Sequence, residues 1–282
     1  MRISIPFGGA LAASALLLST SMTAHAAEAV DLHDWQAESY PAVSGFGAGN
    51  WVVAADGSSV TQSVNGQPTI FYSDFNAYGT EATGNIRVTG GGDDDYIGFV
   101  IGFNPGDTAN NAANYLLIDW KAATQPFDFG SPSSTPGGTA YAGLAISRVT
   151  GTPTADELWQ HVNYDSDAAG SVIELARGAT LGSTGWVRNT DYEFSFDFGP
   201  NNLVVGVNGI EQFNLSGSFA DGRLGFYNFS QGGVQYSAFT KSDGSFPVSA
   251  IPEPATWAMM IVGFGLVGAA IRRRQSGAVV TA

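Results

Sequence analysis

The chain has 282 residues, 12% of them aromatic, with 37 glycines, no cysteine and a formal net charge of −14. The lack of cysteine excludes disulfide staples and thiol chemistry. Residues 27–250 contain seven basic and 24 acidic residues, a charge of −17 for this part. This charge disfavours nucleic acid and anionic lipid as partners, because both require basic contacts. It is consistent with a protein that is soluble outside the cell and that binds divalent cations.

The N-terminus has the pattern of an export signal. Arg2 is followed by apolar and small residues, including the run 11–18. Ala24-His25-Ala26 then gives the small-x-small pattern of a signal peptidase site. We expect residues 1–26 to be a signal peptide, cleaved after Ala26 by signal peptidase, so that the rest of the chain is exported.

The body of the chain, residues 27–240, is predicted to be all-β. Residues 96–103 and 115–120 are two apolar strands around a polar loop, and residues 193–198 alternate between Phe and polar side chains. Such alternation is typical of a strand with one buried face. Many short strands and few helix signals favour a β-sandwich of two antiparallel sheets.

Turn and boundary signals complete this prediction. Asn208-Gly209 is a strong hairpin signal, because both positions tolerate a positive φ. A single helical turn is expected near residues 155–159. A split into two domains near residues 80–90 is the alternative, but apolar strands on both sides favour one sandwich. Residues 241–250 are rich in Ser, Gly and Pro and show no hydrophobic periodicity, so they are expected to be a linker.

Five short strings in the body resemble one family when taken in order. They are residues 93–100, 115–121, 143–146, 158–159 and 222–231. From about residue 70 to 240 they look like the C-terminal domain of thrombospondins, a lectin-like jelly roll of two antiparallel sheets. The resemblance implies calcium binding, cell adhesion and matrix contacts, and no enzymatic activity. The calcium repeats that precede this domain in thrombospondins are absent, so binding that depends on them is not implied.

The C-terminal segment has the pattern of a membrane anchor. Residues 255–271 form an uncharged apolar run of 17 residues, the lower limit for a transmembrane helix. Arg272, Arg273 and Arg274 follow at once, and a basic cluster favours the cytoplasmic side. The alternative, a buried core helix, would show a polar face, and this run has none.

This tail also resembles a sorting signal. The sequence Pro252-Glu253-Pro254, then Trp257, the apolar run and the arginines resemble the PEP-CTERM motif over residues 251–275, in the variant with Trp-Ala after Pro-Glu-Pro. The resemblance implies a Gram-negative bacterium and processing by the membrane protease exosortase. After transient anchoring in the inner membrane, the protein would reach the cell surface or an exopolysaccharide biofilm matrix.

One acidic string suggests a metal site. Asp93, Asp94 and Asp95 follow three glycines and precede a strand. Adjacent carboxylates repel one another unless a cation neutralises them, and calcium takes six to eight oxygen ligands from flexible loops. We therefore expect these residues to bind calcium, with a solvated acidic turn as the alternative. Residues 165–170 begin like an EF-hand loop but lack its final Glu, which favours an acidic turn.

Catalytic patterns are not found in the sequence, so we predict no catalytic residues. His33 and His161 remain after signal cleavage, and neither lies in a recognisable nucleophile or zinc motif. Glu193 and Asp197 share one face of a strand, but solvent exposure of its polar face explains them. The five tryptophans of the exported part are expected to fill the core of the sandwich.

These observations predict an exported, non-catalytic binding protein of the cell surface or matrix. Polysaccharide is the favoured ligand, with calcium shaping the binding loops; the sequence does not indicate the ligand-binding residues. Two alternatives remain open, a structural matrix component without a discrete ligand site and a jelly-roll enzyme that degrades polysaccharide.

Overall fold

A computed structural model describes residues 26–243, apart from residues 44, 91, 131, 132, 134 and 165–169. In chain order the strands of the first half are β1 (Glu28–Ala29), β2 (Gln36–Ser39), β3 (Trp51–Val53), β4 (Ser59–Gln62), β5 (Thr69–Tyr72), β6 (Thr80–Val88), β7 (Tyr96–Phe103), β8 (Asn114–Lys121) and β9 (Gln125–Phe127). Those of the second half are β10 (Gly138–Ala140), β11 (Gly143–Gly151), β12 (Gly170–Arg177), β13 (Tyr192–Phe198), β14 (Asn202–Val207), β15 (Ile210–Ser216), β16 (Arg223–Phe229) and β17 (Val234–Asp243). A 3₁₀ turn spans Asp107–Ala109, and helix α1 spans Ala155–Gln160.

The strands form two antiparallel sheets that pack face to face. The first has the order β15-β14-β13-β6-β17-β4-β3, with β1 beside β17, and the second has the order β12-β11-β8-β7-β16-β5-β2. Strands β9 and β10 pair only with each other. Both sheets mix early and late strands, since β17 lies between β6 and β4 and β16 lies between β7 and β5. The predicted all-β sandwich of two antiparallel sheets is confirmed.

Aromatic side chains fill the core between the sheets. The alternation of β13 points Phe194, Phe196 and Phe198 inward, and all three are buried. The ring of Phe99 from β7 lies 4.8 Å from that of Phe194 and 4.9 Å from that of Phe196. Trp35, Trp120 and Trp186 also belong to this core, and Trp51 packs against it.

A second apolar layer covers the outer face of the seven-stranded sheet. Every residue of β7 is buried, because alternate side chains enter the core between the sheets and this second layer. The layer contains Phe129, which follows β9, and Leu158 and Trp159 of α1. Burial of the same strand on both faces explains why β7 reads as a continuous apolar run.

Helix α1 is short and capped at both ends. Thr154 Oγ1 accepts a hydrogen bond from the Glu157 amide at 3.2 Å, and the Thr154 amide donates to Glu157 Oε2 at 2.9 Å. This capping box starts the helix where the sequence predicts a helical turn. The helix ends at Gln160, and the residue that caps it, His161, has a left-handed φ of 56°. This turn directs the His161 side chain toward Asp119 of the sheet.

The remaining sequence predictions fall partly outside the described residues. The Asn208-Gly209 turn joins β14 to β15 with φ of 51° and 73°, as its hairpin signal predicts. Residues 241–243, expected at the start of the linker, pair with β6 as the end of strand β17. The rest of the linker, residues 1–25 of the signal peptide, the tail beyond residue 250 and the acidic turn at 165–169 lie outside the described residues. Within the described ranges no helix has both the length and the apolar character needed to span a membrane.

Candidate functional site

Strand β8 places two charged side chains on the covered face of the sheet. Asp119 and Lys121 alternate with Ile118 and Trp120, which enter the core between the sheets. Both Asp119 and Lys121 have 0% exposure. Because an unpaired buried charge is costly, each requires a partner of opposite sign.

His161 is the partner of Asp119. Its Nε2 donates to Asp119 Oδ2 at 2.9 Å, and its Nδ1 donates to Glu174 Oε2 at 3.3 Å. Arg177 Nε lies 2.9 Å from the same Glu174 oxygen. Burial lowers the pKa of His161, but the two carboxylates outweigh burial and raise it to about 9. Two cations and two carboxylates therefore form one connected cluster.

Lys121 is held by an acid and by aromatic rings. Its ammonium donates to Asp95 Oδ1 and, at 3.2 Å, to Gln125 Oε1. It also lies 4.3 Å from the ring centre of Trp159, a cation–π contact. Burial raises the pKa of Asp95 to about 6, although the Lys121 ammonium opposes this rise.

The three predicted metal ligands do lie together. Asp93, Asp94 and Asp95 can each offer a carboxylate oxygen within 4.8 Å of the others. Asp93 and Asp94 are half-buried, whereas Asp95 is buried. Carboxylate oxygens are the type of ligand that calcium prefers. Calcium usually takes six to eight ligands, so water molecules would have to supply those that the three residues do not. Lys121 lies 3.7 Å from Asp94 Oδ1 as well as against Asp95, so an internal cation already offsets part of the negative charge.

Two cavities flank helix α1 on this side of the sheet. The histidine cleft, as we call the larger one, has a volume of about 500 Å³; it is lined by Tyr141, Gln160, His161, Glu174, Arg177 and Ser183, among others. The aromatic pocket has a volume of about 130 Å³ and includes Phe127, Phe129, Trp159, Asp93, Asp95 and Gln125 in its lining. The histidine cleft has a size typical of small-molecule sites, which span about 300–1,000 Å³.

Backbone contacts fix the walls of the histidine cleft. The turn before β11 packs closely on residues 182–183. Gly143 allows this approach, because a Cβ atom at this position, where φ is 112°, would lie 2.3 Å from the Gly182 carbonyl oxygen. Arg177 Nη1 donates to the carbonyl oxygens of Ala142 at 3.2 Å and Gly182 at 3.3 Å. These contacts join the two walls, and they leave the Tyr141 side chain at the rim with the residue 60% exposed.

The other residues considered from the sequence have structural positions. Trp35, Trp120, Trp159 and Trp186 are buried, as predicted. His33 pairs with Asp31 at 2.7 Å on the surface. The predicted sorting residues Pro252, Glu253, Pro254, Trp257 and Arg272–Arg274 lie outside the described residues.

His161 lies in no recognisable sequence motif, yet the structure places it in the centre of the charged cluster. The available signal was the pattern of β8, where Asp119 and Lys121 fall on one face of an otherwise apolar strand. Their partners could not be read from that pattern, because His161 is 42 residues from Asp119 and Asp95 is 26 residues from Lys121.

The fold is a β-sandwich of two antiparallel sheets, one of which is covered by a second apolar layer. A family model described as the thrombospondin C-terminal region matches residues 47–242, which is most of the chain. The chain belongs to this family, whose match begins earlier than the predicted residue 70. A second family model, the PEP-CTERM protein-sorting motif, matches residues 250–274. Both resemblances seen in the sequence are thereby confirmed.

Relatives match about two thirds of the chain. Thrombospondin-2 of Gallus gallus is 28% identical over 199 residues, which cover 67% of this chain and 16% of that protein. Cartilage oligomeric matrix protein of Rattus norvegicus is 25% identical over 193 residues, which cover 64% of this chain and 24% of that protein. The chain thus spans less than a quarter of the length of these relatives.

Among solved structures, the carbohydrate binding module CBM66 from Bacillus subtilis is similar with a TM-score of 0.44 and 12% identity, over 71% of this chain and 96% of that one. Likenesses at this level identify no shared function.

Proposed function

We propose that this chain is an exported, non-catalytic binding module of the cell surface or extracellular matrix, with polysaccharide as its ligand. The observation that carries the proposal is the histidine cleft, where hydroxyl, amide, carboxylate and guanidinium groups converge beside an exposed tyrosine ring. Sugars present hydroxyl groups on their edges and apolar C–H groups on their faces, so they require both kinds of contact.

The sorting motif supports the location. A PEP-CTERM tail at residues 250–274 would hold the exported chain in the inner membrane of a Gram-negative bacterium. Exosortase would then act near Pro252-Glu253-Pro254 and separate the sandwich from the apolar run and its arginines. The prolines favour an extended segment that cannot join the helix, which keeps it accessible to a protease.

The charged groups favour binding over catalysis. Glycoside hydrolysis requires two carboxyl groups that face each other across the scissile bond. Of the described residues that line the histidine cleft, Glu174 is the one carboxylate, and it is already paired with Arg177 and His161. Asp119 lies beneath His161 with 0% exposure and cannot reach a substrate.

Calcium at Asp93, Asp94 and Asp95 stays part of the proposal. Support comes from the proximity of the three carboxylates and from the partial exposure of Asp93 and Asp94. Asp95 would contribute least, because Lys121 occupies its Oδ1. Calcium bound there would stabilise the loop before β7, which also borders the aromatic pocket.

A binding survey tests the proposed function. The exported protein, purified from the cells that export it, is applied to immobilised neutral, acidic and amino polysaccharides, once with calcium and once with chelator. Saturable binding to one class, without release of soluble sugar, supports a binding module. Release of soluble oligosaccharides would instead favour the enzyme, and retention in the matrix without saturable binding would favour a structural component.

A further inference from the structure

We infer that the histidine cleft is a subsite for a neutral sugar residue, with the Tyr141 ring as the stacking surface and Glu174 as the group that accepts sugar hydroxyls. The inference rests on the proposed function and adds to it the location, the contact residues and the charge class of the ligand. The position of Tyr141, the charge balance of the cleft and the charge of the whole exported part support it.

Tyr141 is an exposed ring on a rigid support. It lies in the turn between β10 and β11 and is 60% exposed, whereas the tryptophans Trp35, Trp120, Trp159 and Trp186 are buried. The Ala142 amide donates to Thr124 Oγ1 at 3.0 Å, and the Leu144 amide donates to the Leu181 carbonyl at 2.9 Å. A ring presented by a fixed turn loses little conformational freedom on binding, which suits stacking on a sugar face.

Glu174 supplies an acceptor in the lining of the same cleft, where the residue is exposed on the edge strand β12. Its contacts with Arg177 and His161 both end on Oε2, and Oε1 takes neither of them. Burial alone would raise the pKa of Glu174, but hydrogen bonds and charges from His161 and Arg177 lower it overall. The carboxylate is therefore ionised and fixed at neutral pH, a strong acceptor for a ligand hydroxyl.

The charges of the cleft cancel, which favours a neutral ligand. Asp119, His161, Glu174 and Arg177 give two negative and two positive groups in one connected cluster. A charged ligand would add an excess charge to this balanced cluster, whereas a hydroxylated neutral ligand leaves the balance intact. The charge of −17 on residues 27–250 also repels polyanions from a distance.

The test compares variants of the exported protein on laminarin, xylan and mannan as neutral probes, alginate as the acidic probe and chitosan as the amino probe. We expect the wild-type chain to bind a neutral probe with little dependence on salt. Tyr141→Ala and Glu174→Gln should each weaken that binding by about tenfold or more, as expected for central contacts. Tyr141→Phe keeps the ring and should retain binding, and Ile210→Ala, a change at an exposed site on the other sheet, should bind like wild type.

The outcomes separate this inference from the proposed function. Neutral-probe binding that survives both Tyr141→Ala and Glu174→Gln overturns the subsite and leaves the binding module in place. Binding to alginate or chitosan alone overturns the neutral class. A wild-type chain that binds none of the probes contradicts the proposed function itself. Melting curves of each variant verify that a loss of binding does not come from unfolding.

Discussion

His161 Nε2 lies 2.9 Å from Asp119 Oδ2, and the two side chains are 3% and 0% exposed. This pair joins the end of helix α1 to the middle of the seven-stranded sheet, across the second apolar layer. Lys121, two residues further along β8, makes the parallel contact with Asp95. The covered face is therefore held by two buried ion pairs as well as by apolar packing.

The first prediction concerns pH. Asp119 and Glu174 face His161 as carboxylates, Arg177 reaches it through Glu174, and the Tyr96 ring lies 5.5 Å away. The pKa of His161 is about 9 in the folded chain against an ordinary value of 6.5. The folded state thus binds this proton more tightly, so its contribution is complete below about pH 6.5 and is lost as the pH rises to about 9.

Urea unfolding between pH 6 and pH 9.5 measures this effect. We expect the free energy of unfolding to fall by on the order of 3 kcal/mol across the window, from about 1.4 kcal/mol per pH unit. His161→Gln should be destabilised at pH 6 and should show a flatter profile. His33→Gln, which removes a surface histidine, is the control and should keep the wild-type slope. A wild-type profile that is already flat would contradict a protonated, ion-paired His161.

The second prediction concerns Lys121. Lys121→Met keeps the length of the side chain but leaves Asp95 buried beside aromatic rings without its cation. We expect a loss of about 3–5 kcal/mol in the free energy of unfolding, as for other broken buried ion pairs. Addition of Asp95→Asn to Lys121→Met should recover part of the loss, because the uncompensated carboxylate is then gone.

The control for this prediction is Lys241→Met, whose partner Glu28 is 64% exposed. An exposed pair contributes little, so this variant should unfold near the wild-type denaturant concentration. If Lys121→Met were as stable as Lys241→Met, the buried pair would be unimportant for the covered face.

The strands, turns and helix of the sandwich could be predicted from the sequence, whereas the candidate site could not. The Phe alternation in β13 and the Asn208-Gly209 turn are local signals, and each predicts its element correctly. The helical turn expected near residues 155–159 likewise corresponds to the one α-helix of the described residues, which a capping box at Thr154 begins. Short-range pattern is sufficient for these elements because their hydrogen bonds and periodicity are local.

The histidine cleft depends on contacts that no local pattern encodes. Its walls come from the turn before β11, the end of α1 and the edge strand β12, which are far apart in the chain. The second apolar layer was also not predicted, although the unbroken apolar run of β7 was its signal. Such a run is consistent with burial on both faces, but it does not say what covers the second face.

The third prediction concerns calcium. Calcium should raise the Tm of the chain relative to chelator, and Asp93→Asn with Asp94→Asn should remove the difference, because these two carboxylates are close together and only half-buried. Asp95 is left unchanged in this test, since its loss would also disturb Lys121. Glu211→Gln with Asp221→Asn removes the same charge at exposed positions and should keep the calcium response. Identical melting curves with calcium and with chelator would end the calcium proposal.

The fourth prediction concerns the tail. Protein recovered from the cell surface or medium should end near Pro254 and lack the apolar run 255–271, because the PEP-CTERM match covers residues 250–274. Intact-mass measurement of the exported protein locates its C-terminus. Glu253→Ala should leave unprocessed chain in the membrane fraction, since it alters the motif that the protease would recognise. Thr281→Val lies beyond the matched residues and should be processed like wild type. A mature protein that still ends at Ala282 would show that this tail is an anchor and not a processed sorting signal.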